Sequence, residues 1–82
     1  MTKYACLCCG YLTLRECPPG SFDICPVCAW EDDYAQGIDI DMRGGANRLS
    51  LSEARDNFQL IGVSDPNELG NTRAAHEYEI PN

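Results

Sequence analysis

Cys6-Leu7-Cys8-Cys9-Gly10-Tyr11 and Cys25-Pro26-Val27-Cys28-Ala29-Trp30 are the two stretches that decide how this chain folds. Each contains a Cys-x2-Cys pair, and fifteen residues separate the pairs, a spacing that suits one four-cysteine metal site. A structural zinc ion needs four ligands at tetrahedral corners, about 2.3 Å from each sulfur. Two intervening residues let the chain turn so that both thiols of a pair point the same way, with turn amides facing the sulfurs. Gly10 suits the close approach or left-handed backbone such a turn requires, and Pro26 presets one backbone angle of the second. The spacing therefore predicts one structural metal ion, zinc, on Cys6, Cys9, Cys25 and Cys28. Cys8 cannot replace Cys9 without losing the two-residue gap. It is expected to pack beside the metal as a small hydrophobe, with a reactive thiol as the alternative role. Cys17, next to Pro18-Pro19, reads as a loop thiol.

Working outward, the chain is short enough to need such a device. At 82 residues it buries only about 60% of the surface its unfolded form exposes, so a core alone leaves little stability in hand. Met1-Thr2-Lys3-Tyr4 leads straight to the first cysteine without a basic, an apolar or a cleavage-site region, and a cytoplasmic location is expected. In a reducing cytosol, paired cysteines serve as metal ligands more often than as disulfides. No apolar run approaches the ~20 residues of a membrane span, so no membrane role is expected.

Thirteen acids face six bases, a formal charge of −7, and the distribution is uneven. Between Arg15 and Arg43 no Lys or Arg occurs, whereas Glu16, Asp23, Glu31, Asp32, Asp33, Asp39 and Asp41 all do. A tetrathiolate zinc site adds about two more negative charges. Such a surface repels phosphate backbones, making nucleic acid an unlikely partner, and speeds the approach of a basic protein.

Tyr11-Leu12-Thr13-Leu14-Arg15 reads as a strand and Pro18-Pro19-Gly20-Ser21 as a turn, so the first 30 residues of a ribbon over 1–33 resemble two short hairpins, each with a cysteine pair at its tip. Residues 34–49 show no periodicity and are expected to form a surface loop. Ser50-Leu51-Ser52-Glu53 fits a capping box that opens a helix over about 50–61. Leu51, Ala54, Phe58 and Ile61 recur on one face, Leu60 lies beside them, and Gly62 stands at the end. Ser64-Asp65-Pro66 predicts a short second helix fading near Gly70. The tail over 71–82 is polar, with Tyr78 and Ile80 forming a weak strand or fraying. The fold class expected is a small metal-stabilised α+β domain over 1–82. It comprises zinc-ribbon or rubredoxin-like hairpins, one packed helix and a short second one.

Four cysteines saturate zinc, whereas catalytic zinc keeps an open position, so no enzyme is expected. His76, the single histidine, lies in the tail, and no nucleophile, base and orienting group can be assembled around it. Trp30-Glu31-Asp32-Asp33-Tyr34 sets two aromatics around three carboxylates and is the candidate partner-binding segment. Trp30 has a competing structural role, covering the metal site and packing on the helix.

Cys9-Gly10-Tyr11 and Cys25-Pro26-Val27-Cys28 resemble rubredoxin, whose four thiolates hold redox-active iron. The gap here is shorter and Ala29 replaces the second glycine, leaving iron the less favoured metal. A fuller resemblance runs over about 4–70. Tyr4 to Leu14, Ile24 to Asp33, and Gly45-Ala46-Asn47-Arg48-Leu49-Ser50-Leu51 with Ala54-Arg55 resemble the bacterial cysteine-rich CPCC family. Leu7 stands where that family's name puts proline, and Cys8 matches its extra cysteine. The resemblance implies little chemistry and points to immunity against a secreted toxin. The leading expectation is thus a non-enzymatic zinc-binding interaction module, in its sharpest form an immunity protein whose partner is a basic toxin such as a nuclease. The alternatives are a rubredoxin-like iron or thiol redox protein and a zinc-ribbon nucleic-acid-binding protein.

Overall fold

A computed structural model describes residues 3–82. Met1 and Thr2, the start of the ribbon read over 1–33, lie outside the described residues. Strand β1, Tyr4–Ala5, pairs antiparallel with β2, Leu12–Leu14. Tyr4 lies opposite Leu14 and Ala5 opposite Leu12, with an irregularity between Tyr4 and Ala5. The β-forming run predicted over 11–15 thus yields a shorter strand. Thr13 and Leu14 point to opposite faces and both are buried, because the core lies on one side and the cysteine sulfurs on the other.

The second hairpin closes on a single bridge, Ile24 to Glu31, rather than on two strands. Two features stop it from extending. Phe22 sits at φ +58°, in the left-handed region, which breaks the extended backbone. On the outer edge, the Asn47 side-chain amide occupies both backbone groups of Glu31, accepting from its N–H at 2.9 Å and donating to its carbonyl at 2.7 Å.

Residues 34–49 are not all loop: helix α1 spans Tyr34–Ile38. Five residues are too few to show a period, and the helix is held from outside itself. Asp33 caps it by accepting from the Gln36 N–H. Gln36, fully buried, shares its two side-chain N–H groups among the carbonyls of Met42, Asn47 and Leu49 and accepts from the backbone N–H and side-chain amide of Asn47. One polar side chain therefore replaces an apolar core beneath this segment.

Helix α2, Leu51–Ile61, forms where the capping box predicts it. Ser50 accepts from the Glu53 N–H, and the Glu53 carboxylate accepts from the Ser50 N–H. The helix ends on Gly62 at φ +80°. Leu51 and Ala54 are buried, and Phe58 meets Tyr11 edge-on with centroids 6.2 Å apart. The expected stripe fails at its far end: Ile61 is exposed and Leu60 is 81% exposed, because the last turn runs past the core. Leu14, Val27, Trp30, Leu51 and Ala54 form that core with Cys6, Cys8, Cys25 and Cys28. Burying Leu14 or Leu51 contributes about 1.5–3 kcal/mol each.

Beyond α2, Asp65 caps the short second helix, a single 3-10 turn over Pro66–Glu68 with the proline in its first turn, as the Ser64-Asp65-Pro66 run predicts. The tail adds no strand among the described residues. It turns over Glu77–Glu79, where the Glu79 carboxylate pairs with Arg73 through two bonds of 2.8 and 2.9 Å and accepts from the His76 N–H. Among the described residues, no helix is long and apolar enough to cross a membrane.

Candidate metal centre

The two cysteine pairs build the same turn twice. In the first, the Gly10 N–H donates to the Cys6 carbonyl and the Cys6 N–H to the Tyr11 carbonyl, both at 2.9 Å. In the second, the Ala29 N–H donates to the Cys25 carbonyl at 2.8 Å and the Cys25 N–H to the Trp30 carbonyl at 2.9 Å. Closing this turn drives the residue after the second cysteine to positive φ, +82° at Gly10 and +69° at Ala29. Glycine takes that conformation freely, whereas alanine is strained in it.

The turns face each other, so the sulfurs of Cys6, Cys9, Cys25 and Cys28 all lie within 4.8 Å of one another. Cys6 and Cys28 sulfurs are 3.6 Å apart, and those of Cys9 and Cys25 3.7 Å. A disulfide requires about 2.05 Å, and all six cysteines are free thiols. A tetrahedron with about 2.3 Å bonds from zinc to sulfur has edges of about 3.8 Å. The donor set therefore fits a tetrahedral thiophilic metal.

Charge points the same way. The Cys25 thiol is held far below its ordinary range, first by the Cys28 thiol, then by those of Cys6 and Cys9, with a further contribution from the Thr13 hydroxyl. The same crowding pushes Cys28 and Cys9 far up, Cys25 being the leading cause for both. Four such thiols cannot all ionise unaided, and a divalent cation among them removes the conflict. Two groups outside the cage support it. The Thr13 hydroxyl lies 3.1 Å from the Cys25 sulfur, and the Trp30 N–H donates to the Cys28 sulfur at 3.5 Å. Sequence reasoning placed Thr13 in a strand but missed this contact. Its one cue was β-alternation beside a ligand pair.

The centre is anchored from the middle of α2 and from the loop that follows it. The Arg55 Nε donates to the Leu7 carbonyl at 2.8 Å, and the Ser64 N–H donates to the Cys28 carbonyl at 2.8 Å. Cys8 is buried in the core beside the ligands, as expected of a packed thiol, and Cys17 is exposed. On the outer side of the second turn lies a cleft of about 420 Å³, whose Arg48 and Asp65 pair with each other at 2.8 Å.

The candidate partner-binding segment is divided by the fold. Trp30 is only 1% exposed and belongs to the core, which excludes it as a partner contact and satisfies its competing role as a cover. Asp32 is also interior, its carboxylate accepting from the Ser21 N–H at 2.9 Å and hydroxyl at 2.7 Å. A run of three acids does not reveal this, because the partner arrives from a loop eleven residues earlier. Asp33 is engaged at the start of α1, and the Ala46 and Gln36 backbone N–H groups hold its carboxyl below the usual range. Glu31 is half-buried and Tyr34 is exposed. His76 stacks on Tyr78 at 5.2 Å.

None of the curated proteins compared with the chain matches it. The family model described as cysteine-rich CPCC matches residues 4–79, through both cysteine turns, α2 and the tail to Glu79. With its paired turns and four converging thiols, this chain belongs to the cysteine-rich CPCC family.

Proposed function

We propose that this chain is a non-enzymatic protein-interaction module stabilised by one structural zinc ion. The observation that carries the reading is the four-thiol cage. Its sulfurs supply all four corners of a tetrahedron, so a metal held there keeps no open position for water or substrate. The fifteen-residue gap and Ala29 in the second turn favour zinc over the iron of rubredoxins. When bound, the ion supplies cross-linking, joining two turns that are distant in sequence. The test is the metal content and visible spectrum of the purified protein. One equivalent of zinc and a colourless solution support the reading. One equivalent of iron with ferric-thiolate absorption would overturn it in favour of a redox role.

A basic protein fits as the partner. Among the described residues, Arg15, Arg43, Arg48 and Arg73 pair one to one with Asp23, Glu53, Asp65 and Glu79. Of thirteen acids and six bases, nine carboxylates then stand against Lys3 and Arg55. Such an excess steers a cationic partner and repels nucleic acid. The sharpest form is a bacterial cytoplasmic immunity protein that neutralises a basic toxin such as a nuclease. A toxin gene beside this one, with salt-sensitive co-purification of the two products, is the expected result. A solitary gene, or salt-dependent retention on immobilised nucleic acid, would count against it.

A further inference from the structure

Beside the metal centre, three apolar side chains stand in water although the fold fixes the backbone beneath them. Phe22, Tyr34 and Ile38 are 55%, 59% and 63% exposed. Asp32 draws their two segments together: its carboxylate holds Ser21, and its carbonyl accepts from the Phe22 N–H at 2.9 Å. A Cβ placed on Gly20 would lie 3.3 Å from the Tyr34 Cβ, so Tyr34 packs against Gly20, two residues before Phe22. The other side of α1 is closed, since a Cβ on Gly37 would meet Pro19 at 2.6 Å and Leu7 at 3.2 Å. Tyr34 and Ile38, one helical turn apart, share the open face.

Two further observations set this strip apart. Phe22 keeps a left-handed backbone at φ +58°, and its exposed ring recovers little burial to offset that strain. The strip also continues into exposed Asp39 and Asp41, with which no base pairs among the described residues. The nearest bases in sequence, Arg43 and Arg48, are already held by Glu53 and Asp65. The face is therefore apolar at its centre and acidic at one rim.

We infer that Phe22, Tyr34 and Ile38, with Asp39 and Asp41, dock a basic protein segment that presents an apolar side chain between Lys or Arg residues. Charge complementarity selects that occupant: cations meet the two aspartates, and the side chain between them meets the apolar strip. The inference rests on the interaction-module reading. It moves the contact surface from the 30–34 segment, whose Trp30 and Asp32 are interior and of which only Tyr34 is kept, onto α1 and the loop that carries Phe22.

The test titrates the zinc-loaded, nitrogen-15-labelled full chain with a synthetic peptide carrying one tryptophan between two pairs of arginines. A second peptide has glycine in place of the tryptophan. Amide shifts are expected to concentrate at 20–22 and 34–41, with the tryptophan peptide binding about fivefold tighter or more. Ile38→Ser and Phe22→Gly should each weaken it by about fivefold. Phe22→Gly should also raise Tm, because glycine relieves the left-handed strain, so its lost binding cannot come from unfolding. Shifts centred on Glu68 and Glu77, equal affinity for both peptides, or unchanged binding by Phe22→Gly would each overturn this face while leaving the interaction reading standing. Absence of binding by either peptide would overturn the face together with the basic-partner reading, and the metal assay stands apart from both.

Discussion

The two cysteine turns share one hydrogen-bond pattern and differ in how the rest of the chain treats them. The first, residues 6–11, is followed by a short strand and leaves Cys9 the one ligand that is not fully buried. The second, residues 25–30, lies inside the core. Cys25 and Cys28 are wholly buried, Trp30 is packed behind them, and Ser64 and Arg73 bond to the carbonyls of Cys28 and Pro26. Equal spacing in sequence thus gives unequal structural roles. Both turns place cysteines in the core, but the second is buried at both of its ligands, whereas the first leaves Cys9 at the surface.

The largest test of that inequality is loss of a ligand. Structural zinc sites contribute roughly 10–16 kcal/mol of binding free energy, so one ligand of four accounts for about 3 kcal/mol or more. Cys25→Ser is expected to abolish both metal binding and the folded spectrum, since it also leaves a buried polar atom. Cys9→Ser should bind metal more weakly but keep the α2 and Trp30 signals. Metal titration followed by near-ultraviolet circular dichroism separates the two. Equal collapse of both variants would show that the turns are energetically equivalent.

A smaller effect isolates one supporting contact. The Thr13 hydroxyl lies 3.1 Å from the sulfur of Cys25, and no other side-chain hydroxyl bonds a ligand sulfur among the described residues. Thr13→Val keeps the shape of the side chain and removes the donor. Metal affinity should fall about 10–100-fold, as measured by competition with a chromophoric chelator, with little change in the secondary structure. Unchanged affinity would reduce Thr13 to a packing residue.

These contrasts also show what could be read from sequence. The ligand turns and the Ser50–Glu53 capping box were legible because each is closed by atoms within a few residues of one another. Helix α1 was not, because it depends on Gln36 collecting carbonyls up to thirteen residues away. The fate of Asp32 depended on where Ser21 arrives and that of Trp30 on the core behind the second turn, so a segment that reads as an acidic aromatic surface is half interior. The periodic stripe of α2 was legible as far as Phe58. It overreached at Leu60 and Ile61 because periodicity shows a face but not where the core beneath it ends.

The residue after each pair sharpens the comparison further. Gly10 and Ala29 occupy equivalent left-handed positions, so exchanging their residue types should have opposite effects. Gly10→Ala should destabilise the protein by about 1 kcal/mol, the cost of a Cβ in that conformation. Ala29→Gly should relieve strain, and the gain is expected to be about 0.5 kcal/mol after the added freedom of the unfolded chain is counted. Thermal unfolding of the zinc-loaded variants measures both. Stabilisation by Gly10→Ala would show that the two turns are not conformational equivalents.

The smallest effect concerns the tail that ties down the second turn. Arg73 bonds to the Pro26 carbonyl through its backbone and to Glu79 through its side chain. That ion pair, with the His76 N–H, lowers the Glu79 carboxyl from 4.5 to about 2. A carboxyl depressed in the folded state stabilises it above the unfolded value, and the contribution disappears as pH falls through the folded value. Glu79 should therefore stabilise the protein fully above about pH 4.5 and progressively less between about 4.5 and 2. The arginine side is open to solvent, so Glu79→Gln is expected to lower Tm by only about 2–4 °C at neutral pH. Because thiol protonation expels metal over an overlapping acid range, the comparison has to be made between wild type and Glu79→Gln at each pH. The difference between the two curves should narrow toward pH 2. A gap that stays constant through that window would place the contribution of Glu79 in its packing rather than in its charge.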